Sequence, residues 1–396
     1  MKIEAYKLEE HEDWVNAQCS DTSAGNSQNI EDILSYLLES TTLNICWDLD
    51  TAIIPLLKKL TEEQCKKLAE TNKCFCRPFR IFYIPGKVFA ISAVSDKKQF
   101  NLYQIKQYFP EEEEPEEIEG IKVKGLQILE ALAEMGMYPE KLTSPVAIYE
   151  QSVMKHLSLP DKDCIPKEAA YCAWQCSGKL WIEAFQVGYF EQTWDYDIVA
   201  SFPSVVRELY DLRHCYWANN KELPYDAVYG YCECKVTIWA EVSPIIYVDK
   251  DGRLTTPTGT WRTYLTLSEI EFIQKWDIGK VEIVDGWWAF EKKPAISNFD
   301  NEMYPFQVVI NRLLKFKDSE NKLVAHLAKQ MAVGVYGKFG EEHKEKFGKY
   351  FNPVYFAEIS TKIRLAVAEF IYKHELQDNL IHVSVDGILV DKEIKL

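Results

Sequence analysis

Apolar and polar positions change period several times along the chain, and each change marks an element. Leu43 to Asp50 is a short apolar run that reads as a strand. A helical stripe follows through Ile53, Ile54, Leu57 and Leu60. Arg80 to Val94 predicts a hairpin turning at Pro85-Gly86. From Gly120 to Ser158 the pattern is helical, with breaks at Pro139 and Pro145. Tyr229 to Val248 alternates and is rich in β-branched and aromatic residues, which predicts strand. Asp251-Gly252 turns it, and Thr260 to Leu267 continues it.

Further on, Phe306, Val309, Ile310, Leu313 and Leu314 form one helical apolar stripe, and Leu323, Leu327 and Met331 form another. Only Asp318 to Asn321 separates them, so the two helices should form an antiparallel hairpin. Thr361 to His374 is amphipathic, with Ile363, Val367, Phe370 and Ile371 on one face. Leu380 to Val390 is an apolar hairpin expected to turn at Asp386-Gly387.

Composition narrows the class. The chain has 396 residues, 47% of them apolar, with 11 Trp, which suffices for a packed core in two or three domains. No run of about 18 apolar residues occurs, so no membrane association is expected. Met1-Lys2-Ile3-Glu4 turns polar at once, which does not fit a signal peptide. The 11 cysteines lack framework spacing and read as reduced thiols in a cytoplasm.

The net charge, 45 − 61 = −16, argues against a uniformly basic nucleic-acid surface, but the charge is uneven. Arg312 to Asn352 carries nine Lys or Arg against five Asp or Glu, whereas Pro110 to Glu119 has seven Glu and no cation. The acidic run, broken by Pro115, reads as a solvated linker.

Three segments place polar groups where a core would not want them. Asp197-Ile198-Val199-Ala200-Ser201-Phe202-Pro203-Ser204 opens on a carboxylate and is stopped by proline. Lys322, His326, Lys329 and Tyr336 share one helical face, opposite the apolar stripe, and offer cations for phosphates and a ring for a base or sugar. Val383-Ser384-Val385-Asp386-Gly387 puts a carboxylate at a hairpin tip. Each alone has a plain reading: a strand end, a solvated helix face, an Asp-Gly turn.

In this order the three resemble motifs A, B and C of family B DNA polymerases. Motif A of that family reads D-x-x-S-L-Y-P-S; Asp197, Pro203 and Ser204 match, Ser201 stands where Leu is usual, and Phe202 replaces Tyr. Motif B reads K-x-x-x-N-S-x-Y-G; Lys329, Tyr336 and Gly337 match, while Val333 and Gly334 replace Asn-Ser. Motif C reads D-T-D-S; Asp386 matches the second carboxylate, Ser384 replaces the first, and Gly387 replaces the final Ser. The protein-primed, phage-type branch is the nearest, since Ser360-Thr361-Lys362-Ile363-Arg364 is similar to its T-x-x-(A/G)-R and Gln175-Cys176-Ser177-Gly178-Lys179 is a weak form of its Y-x-G-G-R. These matches span roughly Ser177 to Val390.

The resemblance implies an α/β (α+β) fold, with an antiparallel palm sheet, helical-hairpin fingers and an N-terminal α/β domain left from an RNase H-like exonuclease. The expected segments are 1–110 for that domain, 111–175 for an acidic linker and helical connector, 176–300 and 341–396 for the palm, and 301–340 for the fingers. It implies template-directed dNTP addition to a primer 3′-hydroxyl on primer–template DNA, with two Mg²⁺ or Mn²⁺ ions held by Asp197, Asp386 and the Ile198 carbonyl. Lys329, Lys317 and Arg312 would hold the triphosphate, with Tyr336 near it and Phe202 as a gate against the ribose 2′-hydroxyl. Gly178, Lys179, Gly337, Ser360 and Arg364 would contact DNA. The sequence stops ten residues after Asp386, so the expectation is either that a thumb is lacking or that a second chain supplies that grip. The source would be a phage, plasmid or other mobile element.

Other candidates carry less. Asp48-Leu49-Asp50 sits where a 3′–5′ exonuclease shows D-x-E, but runs into a helix with no downstream partner motifs, so proofreading is not expected. Cys74/Cys76, Cys172/Cys176 and Cys232/Cys234 lack partners at zinc spacing. The alternative to an enzyme is a polymerase-shaped DNA-binding or assembly subunit without catalysis.

Overall fold

The structure is a computed structural model that describes residues 2–10, 15–20, 22–27, 29–94, 98–160, 162–292, 303–343 and 346–395. It divides into two compact units, one of Met1–His156 with Lys315–Met331 and the other of Leu157–Leu314 with Ala332–Leu396. Among the described residues no helix is long and apolar enough to cross a membrane.

The first unit contains β1 (Ile3–Glu10), β2 (Val15–Cys19), β3 (Thr22–Ser27), α1 (Ile30–Leu38), β4 (Leu43–Cys46), α2 (Leu49–Ala52), α3 (Ile54–Leu57) and α4 (Glu62–Thr71). It continues with β5 (Lys73–Cys76), β6 (Phe79–Ile84), β7 (Val88–Ala93), β8 (Gln99–Gln104), α5 (Ile118–Glu134) and α6 (Pro145–Ser152). Its strands form one sheet in the order β3-β2-β1-β4-β8-β7-β6-β5. The β6–β7 hairpin is the expected one, with Gly86 at φ +63° in its turn. The helical stripe after β4 is split, because Asp48 caps α2 and Pro55 restarts the chain at the first turn of α3. Helix α5, in the stretch where the sequence pattern is helical from Gly120, packs on β1 and β4. A side chain at Gly125 would lie 2.4 Å from Ile45 Cδ1, so only glycine lets that helix settle onto the sheet.

The second unit contains α7 (Lys167–Cys176), β9 (Ile182–Ala184), β10 (Trp194–Asp197), α8 (Ser201–Val206), β11 (Cys215–Asn219), β12 (Ala227–Ile238), β13 (Tyr247–Val248) and β14 (Leu254–Thr255). It continues with β15 (Gly259–Thr266), α9 (Leu267–Trp276), β16 (Gly279–Glu291) and α10 (Gln307–Lys317), whose last residues belong to the first unit. Then come α11 (Lys322–Phe339), which begins in the first unit and ends in the second, β17 (Glu342–His343), β18 (Lys346–Phe347), α12 (Pro353–Lys373), β19 (Leu380–Ser384) and β20 (Gly387–Val390). Two four-stranded antiparallel sheets, β10-β20-β19-β9 and β11-β16-β12-β15, share an apolar core with α9 and α12.

The expected strand from Tyr229 to Val248 ends at Ile238, short of Pro244. Helix α12 starts eight residues before Thr361, at Pro353 behind the Asn352 cap. Residues 293–302, at the expected palm–fingers boundary, lie outside the described residues.

Candidate active site

Strands β10 and β20 run antiparallel, with Asp197 opposite Gly387. Asp197 ends β10 and Asp386 immediately precedes β20, so the pairing brings the two carboxylates to one end of the sheet. The Ile198 N–H donates to the Asp386 carbonyl at 3.0 Å and fixes that register. A side chain on Gly387 would sit 3.2 Å from Asp197 Oδ1, so glycine leaves the carboxylate its room.

The hairpin does not turn where the Asp-Gly pattern suggested. Ser384 pairs with Gly387, which makes Val385 and Asp386 the two loop residues. Val385 therefore takes φ +59°, and Ala200, three residues past Asp197, takes φ +55°. Both are left-handed conformations that a residue with a Cβ adopts at a cost, here beside each carboxylate. The Ser201 hydroxyl is buried and donates to Asp386 Oδ2. That serine is a departure from the motif, and the sequence gives no sign of this bond. Ser384 is exposed at the end of β19.

Phe202 sits on the first turn of α8, its ring 4.9 Å from Tyr336 on α11. Tyr336 in turn stacks on Phe356 at 4.7 Å. Burial pushes the Tyr336 phenol up to about 12, against the opposing pull of Ser360 and Arg364. Gly337 follows it, exposed and facing open space.

Three residues expected to contact DNA are enclosed instead. Lys179 is buried and donates to the Tyr264 carbonyl at 3.3 Å. Ser360 bonds back to the Phe356 and Ala357 carbonyls of its own helix. Arg364 has no exposed surface; it donates to the Lys179 carbonyl and forms an ion pair with Glu269 at 2.5 Å. Glu269 also accepts from the Thr266 N–H at 2.8 Å in the capping box of α9. The charges expected at the DNA thus tie the segment after α7 to β15 and α12 to α9, because a buried guanidinium must have its partner inside. Gly178 is exposed, at φ +68°. Arg312 is exposed on α10. Lys317, half-buried, and Lys329, exposed, belong to the first unit.

The acidic groups at the strand ends are two carboxylates, and among the described residues no group of three His, Cys, Asp or Glu could hold a metal. That set does not suit a closed zinc site. It suits Mg²⁺, which takes one or two carboxylates and fills its remaining positions with water and substrate phosphate oxygens.

Asp48 and Asp50 are occupied in the first unit. Asp48 accepts from the Asp50 and Thr51 N–H groups and pairs with Lys106 at 2.8 Å. Burial opposes its charge most strongly of any one cause, but Lys106 and the Thr51 and Asp50 N–H groups together outweigh it and lower the carboxyl's pKa. Asp50 accepts from the Tyr83 hydroxyl at 2.6 Å and the Gly86 N–H at 2.7 Å.

No protein-family model and no curated protein matches the sequence. Among solved structures, phi29 DNA polymerase complexed with primer-template DNA and incoming nucleotide substrates matches all of this chain and 81% of its own, at 11% identity and a TM-score of 0.62. The same polymerase in its post-translocation binary complex with primer-template DNA gives 11% identity, the same coverage and a TM-score of 0.61. Complexed with single-stranded DNA it gives the same identity, coverage and TM-score as the binary complex. The likeness over the whole chain shows the fold: a mixed α/β architecture similar to that of phi29 DNA polymerase.

Proposed function

We propose that the chain is a DNA-directed DNA polymerase, adding dNTPs to a primer 3′-hydroxyl under template direction. The observation that carries this reading is the β10–β20 pairing that sets Asp197 and Asp386 at one sheet end. The polymerase-like fold supports it.

In the reaction the primer 3′-oxygen loses its proton and bonds the α-phosphorus, while the bond to pyrophosphate breaks. Two divalent ions, when bound, supply the Lewis acidity that this exchange of oxygens needs. Asp197, Asp386 and the Ile198 carbonyl are the residues to hold them. Ser201 orients Asp386 by its hydrogen bond. Phe202, wedged against Tyr336, presents a fixed ring where a sugar would lie and excludes a 2′-hydroxyl by bulk. The roles of Arg312, Lys317 and Lys329 toward the triphosphate rest on the motif resemblance.

The test is extension of a labelled primer on a template by the purified protein with dNTPs and Mg²⁺ or Mn²⁺. Asp197→Ala or Asp386→Ala should each cut the rate roughly 10³-fold or more, with primer–template binding little changed. Equal extension by wild type and both variants would assign the activity to a contaminant. One observation favours the second reading, a DNA-binding or assembly subunit without catalysis: Ser384 stands where the resemblance expects an additional carboxylate.

A further inference from the structure

A row of aromatic rings runs through the second unit to the surface. From Phe202 and Tyr336 it continues through Phe356 to Trp174 at 6.1 Å, then to Phe351 at 5.2 Å. Phe347 stacks on Phe351 at 3.9 Å with the planes 24° apart, and also meets the edge of Trp174 at 6.2 Å. Phe356, Trp174 and Phe351 are only half-buried, and Phe347 is 58% exposed. A large apolar ring left this open forgoes much of the stabilisation that burial provides. Two exposed lysines, Lys346 and Lys349, flank it in the chain. Of the nearby carboxylates, Glu341 is engaged by Lys338 at 3.2 Å, and the exposed Glu342 lies opposite Phe347 across β17 and β18. Stackable rings beside cations are the two components that hold an unpaired nucleic-acid strand: π-faces for bases and ammonium groups for phosphates.

We propose that Phe347, with Phe351 and Trp174 behind it, is a stacking seat for bases of single-stranded DNA, and that Lys346 and Lys349 hold the adjoining phosphates. The proposal rests on the polymerase reading for its occupant, the unpaired template. Its geometry stands apart from Asp197 and Asp386, so the two are separable by experiment. Stacking ignores base identity, so the seat tolerates any sequence passing over it.

The test is fluorescence anisotropy of the full-length protein with a labelled dT oligonucleotide about 12 nucleotides long and with an abasic oligonucleotide of the same length. Wild type should prefer the base-bearing strand. Phe347→Ala should weaken its binding by about five- to a hundredfold and bring it near the abasic value. Phe347→Trp should retain binding, and Lys346→Glu/Lys349→Glu should weaken both oligonucleotides and flatten the salt dependence. An unchanged far-UV spectrum in Phe347→Ala confirms that the fold is kept. Equal affinity for the two oligonucleotides, or unchanged binding in Phe347→Ala, overturns the seat. A concentration-dependent dimer abolished by Phe347→Ala, without oligonucleotide binding, also overturns it and makes the patch a self-interface. Base-dependent binding that persists in Asp197→Ala while no preparation extends a primer keeps the seat and removes the polymerase; extension with binding unchanged in Phe347→Ala does the reverse.

Discussion

Phe202 lies five residues beyond Asp197, and its ring is held by Tyr336 rather than by a hydrogen bond. Exclusion by bulk needs only the ring, so Phe202→Ala is expected to admit ribonucleotides while dNTP use continues. The dNTP/rNTP incorporation ratio measures it, and an unchanged ratio would show that the ring is not under the sugar. A second residue carries a pH signature. Glu358 on α12 is fully enclosed and accepts from the Tyr231 hydroxyl at 2.9 Å. Burial raises its pKa, outweighing Lys362 and Tyr231, which pull it down. Below the usual carboxylate value the group is protonated both folded and unfolded and contributes nothing. As pH rises past that value the unfolded chain ionises first, so the native state loses stability until the raised pKa is passed. Glu358→Gln should therefore raise Tm at pH 7 and leave it nearly unchanged at pH 4; an equal shift at both would refute the titration. Asp197 and Asp386 stand out in the sequence only through the order of the three motifs, since each alone reads as a strand end or an Asp-Gly turn. Ser201 and Arg364 do not, since chain order shows a hydroxyl or a charge but never what encloses it.

At the scale of elements, α12 is joined to α9 through Arg364 and Glu269, both without exposed surface. Removing one member strands the other as an unpaired buried charge, which costs about 3–5 kcal/mol, whereas replacing both by apolar side chains is often close to neutral. Arg364→Met is accordingly expected to lose that much in denaturant unfolding, and Glu269→Met/Arg364→Met to recover most of it. A single variant as stable as wild type would mean that the pair is solvated. The two helices α10 and α11 are readable one by one, because each apolar stripe keeps a helical period. The β19–β20 turn is misread by one residue. Asp-Gly favours the loop itself, but pairing of Asp197 with Gly387 pulls the glycine into the strand and leaves Val385 in the left-handed position. Tertiary pairing thus overrides local turn preference.

For the molecule as a whole, the fold class was readable from motif order in the second unit, whereas the eight-stranded sheet of the first had no motif to announce it. The chemistry of that first unit is testable. Asp48 is neutralised by Lys106 and Asp50 is spent on the β6–β7 turn, so Mg²⁺-dependent trimming of a mismatched primer is not expected. Trimming that disappears in Asp48→Ala would overturn this.

The first unit is also built from two stretches of chain. Its cavity of about 680 Å³ is walled by Tyr108, Phe109 and Gln127 on one side and by Asn321, Leu323 and His326 on the other. During synthesis, the 331 − 156 = 175 residues between the end of the first stretch and the end of the second must leave the ribosome before that wall exists. At translation rates of about 5–20 residues per second, the nascent N-terminal piece waits on the order of ten to thirty seconds with an open side. In that interval it is the part of the chain most in need of a chaperone.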